Sequence, residues 1–153
     1  MTKVLFICHG NICRSPMAEF VLKDMVAKCG MAAEFEIDSA ATSREELGNG
    51  VHHGTRRKLA EVGVPCGEHR ARQMTKADYA YYDYILLMDA NNRRNTMRII
   101  GSDTDGKVHG LLDFSERPRD IADPWYTGNF DITYDDIVEG CEAFLAWLKA
   151  SKS

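Results

Sequence analysis

Apolar positions along the chain fall into two kinds of pattern. Short unbroken apolar runs stand at Lys3–Cys8 (KVLFIC) and Tyr84–Met88 (YILLM), each bounded by polar or turn-forming residues. Runs of this length without alternation predict strands covered on both faces, as in a parallel sheet. A second strand is predicted at Phe35–Ser39 and a fourth near Lys107–Leu111. Between them the spacing turns helical. One helix opens at Ser15-Pro16 and runs to about Lys28, with Ser15 as N-cap, Pro16 at the first helical position, Glu19 near the positive dipole end and Gly30 as stop signal. Others are predicted over about Gly54–Val62, ended by Gly63, and from Asp89 as cap through Ile100. A last one covers Ile132–Lys149, with Ile137, Phe144, Leu145 and Leu148 on or near one stripe. Pro118–Asn129 reads as a long loop.

Strands alternating with helices predict an α/β fold: a three-layer sandwich with a central four-stranded parallel sheet and helices on both faces. At 153 residues the chain suits a single domain spanning 1–153. In such folds ligands bind beyond the carboxyl ends of the strands, near the point where the strand order reverses. The loop after the first strand is therefore the first place to look for chemistry.

Composition narrows the class without naming it. Hydrophobic and charged shares of 44% and 27% are those of an ordinary globular protein. A net charge of −4 argues against a general nucleic-acid binder, which carries a basic footprint. It leaves room for a local anion site built from backbone N–H groups. No apolar run approaches the ~20 residues of a membrane span, and Val4–Ile7 is too short for a signal-peptide core. The five cysteines, Cys8, Cys13, Cys29, Cys66 and Cys141, form no CxxC pair and no even disulfide framework, which fits a reducing cytoplasm.

The loop after the first strand reads Cys8-His9-Gly10-Asn11-Ile12-Cys13-Arg14-Ser15. Gly10 and Asn11 both tolerate left-handed backbone, so the loop can turn successive N–H groups inward around an anion. The following helix adds its positive end, and Arg14 can donate to two phosphate oxygens at once. Such a field holds a thiol as thiolate, and Cys8 is expected to react as a nucleophile in that form. The rival reading is a buried cysteine closing a core strand. The register of Gly10, Asn11, Arg14, Ser15 and Pro16 speaks against it. A nucleotide-binding P-loop is excluded, because its Gly-Lys-Ser/Thr ending is absent.

Through CHGNICRSPMAE the chain closely resembles the low-molecular-weight protein tyrosine phosphatase family. The resemblance continues through Ile37-Asp38-Ser39, His69-Arg70-Ala71-Arg72-Gln73 and Asp83-Tyr84-Ile85 to Asp123-Pro124-Trp125-Tyr126, in the family's order and spacing. It implies a flavodoxin-like sheet of the phosphotyrosine phosphatase I type and hydrolysis of protein phosphotyrosine through a phosphocysteine on Cys8. By the same resemblance Arg14 binds phosphate and Asp123 is general acid, then base. His9, Gly10, Asn11, Ile12, Cys13, Arg14 and Ser15 would line the phosphate site, with Trp125 and Tyr126 walling the pocket. Asn11, Ser15, Ser39 and His69 would form a hydrogen-bond network beneath it. Asp38 and Asp89 read as caps or supports. No metal or other cofactor is implied. The expected partners are phosphotyrosine proteins and inorganic phosphate or similar oxyanions, with no nucleic acid and no membrane, and the chain is expected to be monomeric or weakly self-associating.

Generic readings compete at several of these positions. Asp-Pro is a frequent turn opener, and Trp125 and Tyr126 could serve loop packing alone. Ser43-Arg44-Glu45-Glu46 stands where many family members carry an aromatic wall, which leaves peptide preference open. Gly48–His53 lacks the prolines often found there and is expected to be a looser loop. Three other activities fit the fold. An arsenate reductase needs relay cysteines, and none lies between Tyr79 and Asn95. A protein-arginine phosphatase tends to carry a small polar residue in place of Ile12. A phosphopeptide-binding module would not need Cys8, Arg14 and Asp123 together. Cys13 has two readings: the resolving thiol of a reversible Cys8–Cys13 disulfide, which the resemblance supports, or a small buried residue packing the loop.

Overall fold

The computed structural model describes residues 1–152. Strand β1 (Thr2–Cys8) lies at the middle of a four-stranded sheet of order β2-β1-β3-β4, with β2 at Phe35–Ala41, β3 at Tyr84–Leu87 and β4 at Val108–Gly110. Every pairing is parallel. The apolar run of β1 has no alternation because both of its faces are covered. Val4, Phe6 and Cys8 join a core on one face, and Leu5 and Ile7 join a second core on the other. All four residues from Val4 to Ile7 are fully buried.

Helix α1 (Arg14–Lys28), helix α2 (His53–Glu61) and the last helix, α6 (Phe130–Lys152), pack on the first face through Met17, Val21, Leu22, Leu59, Ile137, Cys141, Phe144 and Leu148. Helices α3 (Lys76–Tyr81) and α4 (Ala90–Ile100) cover the second, where Tyr79, Met97, Ile99 and Ile100 pack on the sheet. The predicted three-layer sandwich is therefore the observed fold. Strand order reverses between β1 and β3, so the loops after these two strands part in opposite directions and leave a crevice between them. No described helix is long and apolar enough to cross a membrane.

Several local expectations need correction. Helix α1 begins at Arg14, two residues earlier than expected, with Cys13 at its N-cap and no side-chain cap. Ser15 thus lies inside the helix and Pro16 is its third residue, where a missing N–H is still harmless because the first four have no intrahelical partner. Helix α3 was not foreseen. Its signal is the pair Thr75 and Asp78, which form a reciprocal capping box around only six helical residues. The predicted loop 118–129 contains a short helix, α5 (Pro124–Thr127), capped by Asp123. The segment 48–53, expected to be loose, is held by backbone bonds from Gly48 N to Ala71 O, Ala71 N to Asn49 O and His52 N to Ile12 O, each 2.9 Å. Of the two loop residues that tolerate left-handed backbone, Asn11 adopts it, at φ 60°.

Gly140 marks the tightest approach between α6 and the short 3-10 helix at Leu111–Phe114. A Cβ there would sit 2.5 Å from Cγ of the fully buried Leu111. Gly140→Ala should therefore destabilise the protein by about 1–3 kcal/mol, against the ~1 kcal/mol that alanine normally gains over glycine within a helix. Urea unfolding of the variant checks this; a rise in stability would show that Leu111 can yield.

Candidate active site

Cys8 ends β1 with its side chain buried, and the chain then curls through Asn11 before entering α1. The Sγ of Cys8 receives the Asn11 backbone N–H at 3.3 Å and lies 3.0 Å from Ser15 Oγ. Arg14, at the start of α1, is 2% exposed. Its Nη1 donates to Asp89 Oδ2 at 2.7 Å and to the Ile121 carbonyl at 2.8 Å, while Nη2 lies 3.4 Å from Asp123 Oδ2. Burial opposes the guanidinium's charge, but Cys8, Asp89 and Asp123 outweigh it and hold Arg14 above its ordinary range. The crevice of the reversed strand order is thus spanned by Arg14, which bonds the cap of α4 on the far side.

A hydrogen-bond network of Asn11, Ser15, Ser39 and His69 underlies the Cys8 sulfur. The Arg72 N–H donates to Asn11 Oδ1 at 3.2 Å, which fixes that atom as the oxygen. Asn11 Nδ2 then donates to Ser15 Oγ at 2.8 Å and to Ser39 Oγ at 2.9 Å. His69 Nε2 faces two oxygens of Asn11, the backbone carbonyl at 3.2 Å and Oδ1 at 3.0 Å, so this nitrogen carries a proton.

Glu19 belongs to the network and was read from the sequence only as a helix-dipole residue. It is 3% exposed, accepts from Ser39 Oγ at 2.6 Å and Lys23 Nζ at 2.6 Å, and lies 3.7 Å from His69 Nδ1. An acid set inside the apolar run Met17-Ala18-Glu19-Phe20-Val21-Leu22 is the sequence signal that could have found it. Glu19, Asp38 and His69 bring ligand-type atoms within 4.8 Å of one another. Their oxygens are taken up by Ser39, Lys23 and Arg72, so the trio is a satisfied ion network.

Above the loop lies a cavity of about 250 Å³. Cys8, Cys13, Arg14 and Asp123 border it, with His9, Gly10 and Ile12 on the loop side and Trp125 and Tyr126 at the rim. Asp123 accepts the Trp125 N–H at 3.0 Å through Oδ1, which leaves Oδ2 toward Arg14. Trp125 and Tyr126 are 57% and 82% exposed. The opposite wall holds Glu45 and Glu46. Glu45 pairs with His9, and the Glu46 stem packs against Gly10, where a Cβ would come within 3.3 Å of it. Cys13 is 4% exposed, and burial first, then the charges of Cys8 and Asp123, push its thiol up to about 12. Asn11, Ser15, Ser39 and His69 are thus beneath the loop, and the other expected residues border the cavity. Asn11 and Ser15 lie behind this lining, yet both reach the Cys8 sulfur, through the Asn11 backbone N–H at 3.3 Å and Ser15 Oγ at 3.0 Å.

Sequence comparison agrees with this architecture. The family model for low molecular weight phosphotyrosine protein phosphatase matches residues 3–153. The chain belongs to that family. The low molecular weight protein-tyrosine-phosphatase YfkJ of Bacillus subtilis is 39% identical over 99% of both chains. Its crystal structure superposes with a TM-score of 0.96 over 100% of this chain and 98% of that one. The low molecular weight phosphotyrosine protein phosphatase of Homo sapiens is 40% identical, covering 93% of this chain and 92% of its own. The crystal structure of a drosophila arginine phosphatase is also similar, at 31% identity, a TM-score of 0.89 and coverage of 97% and 98%.

Asn11 is the residue through which the network can be tested apart from chemistry. Asn11→Ala removes its side-chain hydrogen bonds and places a Cβ residue without local compensation at φ 60°, and should destabilise by about 2–4 kcal/mol. Asn11→Gly keeps the backbone freedom and should recover roughly 1 kcal/mol of that loss. Equal losses in denaturant titrations of the two would remove the backbone share of the argument.

Proposed function

We propose that this protein, as one catalytic domain across 1–153, hydrolyses phosphotyrosine in proteins through a phosphocysteine on Cys8. One observation carries the reading: the Cys8 thiol, the Arg14 guanidinium and the Asp123 carboxylate border a single cavity with an aromatic rim. The Cys8 thiolate attacks phosphorus as the phosphorus–oxygen bond to the tyrosine ring breaks, and protonated Asp123 gives its proton to the departing phenolate. Ser15, whose oxygen already accepts from Asn11, has its own proton free for the Cys8 sulfur. Arg14 is held from behind at Nη1 by Asp89 and Ile121, so its Nη2 side faces the phosphate oxygens and their growing charge. In the second step Asp123 takes a proton from water, the oxygen attacks phosphorus, and Cys8 leaves as thiolate with release of inorganic phosphate. These residues need no metal or other cofactor to complete both steps. The setting we propose is a reducing cytoplasm, which suits five free thiols, with the chain acting as a monomer or in weak self-association.

The test combines substrates and variants. Wild type should release phosphate from phosphotyrosine peptides well ahead of phosphoserine and phosphoarginine peptides, and Cys8→Ser should abolish release. Asp123→Asn should lower kcat/KM on phenyl phosphate by roughly 10²–10⁴ and on p-nitrophenyl phosphate by much less, because the nitrophenolate leaves without a proton. Faster release from phosphoarginine would replace the tyrosine reading with the arginine one, and equal losses on both esters would remove Asp123 as the acid.

Oxidation gives a second test, through Cys13. Peroxide converts the Cys8 thiolate to a sulfenic acid, and attack by the Cys13 thiolate then expels hydroxide and forms a disulfide. Burial, the largest cause of the raised Cys13 thiol, persists after Cys8 is oxidised, so Cys13 stays mostly protonated at neutral pH and its attacking fraction rises as pH rises. Recovery by thiol reductant after peroxide should therefore be more complete at about pH 8.5 than at about pH 6, and Cys13→Ser should lose that recovery at both. Full recovery in the variant would leave Cys13 as a packing residue only.

A further inference from the structure

His52 lies outside the cavity lining, yet it touches both halves of the site. Its backbone N–H donates to the Ile12 carbonyl at 2.9 Å, in the loop that carries the nucleophile. Its Nδ1 accepts the Gly54 N–H at 3.0 Å and so caps α2. Three residues on, Thr55 Oγ1 donates to the Cys13 carbonyl at 3.2 Å, so the start of α2 grips the phosphate loop twice. The other side of the imidazole meets the acid loop. It stacks on Phe130 with centroids 5.5 Å apart and meets Trp125 edge-on at 5.6 Å. Trp125 donates its backbone N–H to Asp123, and Phe130 begins α6 just beyond that loop. The Phe130 ring can lie there only because residue 54 is glycine: a Cβ would fall 2.2 to 2.7 Å from the ring atoms.

We infer that His52 is a positioning residue, which sets the distance between the nucleophile loop and the acid loop by bonding one through its backbone and bracing the other with its ring. The inference rests on the phosphatase reading above. The ring must be neutral to accept from Gly54, and the surroundings favour that form. Burial, then the stacked ring of His53 at 4.3 Å, hold it below the ordinary imidazole range, while Glu46 and Asp123 pull the other way. A purely capping residue would have no need of the aromatic contacts, since asparagine or aspartate caps as well without them.

The experiment separates cap from brace. His52→Asn keeps a capping acceptor and removes the ring; His52→Phe keeps a ring and removes the acceptor. For each, kcat/KM is measured on p-nitrophenyl phosphate and on phenyl phosphate, with melting temperature alongside. A misplaced acid penalises the poorer leaving group, so His52→Asn should raise the nitrophenyl-to-phenyl ratio by about three- to tenfold with little change in melting temperature. His52→Phe should hold the ratio near that of wild type while melting roughly 2–4 °C lower. If the ratio is unchanged in His52→Asn, or if the two esters fall together, His52 is a helix cap and the inference is overturned. A ratio that rises equally in His52→Phe transfers the effect to the cap and overturns the ring's part. Should wild type itself turn over neither ester, the phosphatase reading falls first and this inference with it.

Discussion

The Glu19 carboxylate, buried beneath the phosphate loop, sets the direction of the hydrogen bonds that reach Cys8. A carboxylate can only accept, so the Ser39 proton must point toward it at 2.6 Å. Ser39 oxygen is then left to accept from Asn11, whose second amide proton goes to Ser15. Ser15 in turn has one proton left, and the Cys8 sulfur lies 3.0 Å away. Asn11, Ser15 and Ser39 are each fully buried, so a reversal anywhere along this chain would set two acceptors or two donors face to face without water to relieve them. The charge at its far end is itself compensated by Lys23. The fold contributes by placing Glu19 on α1 and Ser39 on β2 so that both reach the underside of one loop.

What could be read from the sequence was what lies close together along it. Cys8, Asn11, Arg14 and the start of α1 fall within seven residues, and their meaning comes from a strand end, a turn and a helix start in direct succession. The apolar run of β1 was equally legible, because burial on both faces removes alternation. Long-range partnerships were harder to see. Asp89 has all the marks of a helix cap and is one, yet the same carboxylate also accepts from Arg14 across the strand-order reversal. Nothing local distinguishes a cap that does one job from a cap that does two. Glu19 read only as a helix-dipole residue because its partners Ser39 and His69 are remote in sequence and meet it only once β2 and the later loop pack beside α1. Helix α3 is too short for a hydrophobic period, and only its Thr75–Asp78 capping box announces it.

Arg14 shows how the site divides support from recognition. A guanidinium 2% exposed carries a desolvation cost that a lone partner rarely offsets. Here Nη1 alone has two oxygen acceptors, Asp89 and the Ile121 carbonyl, one ionised and one not. The planar group is thereby fixed in orientation before any phosphate arrives, and its Nη2 edge is turned to the cavity. A lysine could supply the charge but not the fixed plane, since its ammonium has no second edge to hold.

The two walls of the cavity are built on opposite terms. The nucleophile side is buried at Cys8 and from Asn11 to Ser15, and the backbone carbonyls of Cys8, His9, Ile12 and Cys13 receive Thr42 N, Ser43 N, His52 N and Thr55 Oγ1. The acid side is a four-residue helix with two largely exposed aromatic rings, closed by Gly128 in the left-handed conformation. Such a segment gains little from its own packing, so its position depends on what it touches: the Asp123 carboxylate near Arg14, the Thr133 hydroxyl on the Ala122 carbonyl at 2.9 Å, and the imidazole of His52. Rigidity on one side suits a thiolate that must stay within a fixed array of donors. In the proposed reaction, lighter restraint on the other would suit an acid that gives its proton to a leaving oxygen and then takes one from water, with exposed aromatic neighbours free to meet the substrate ring.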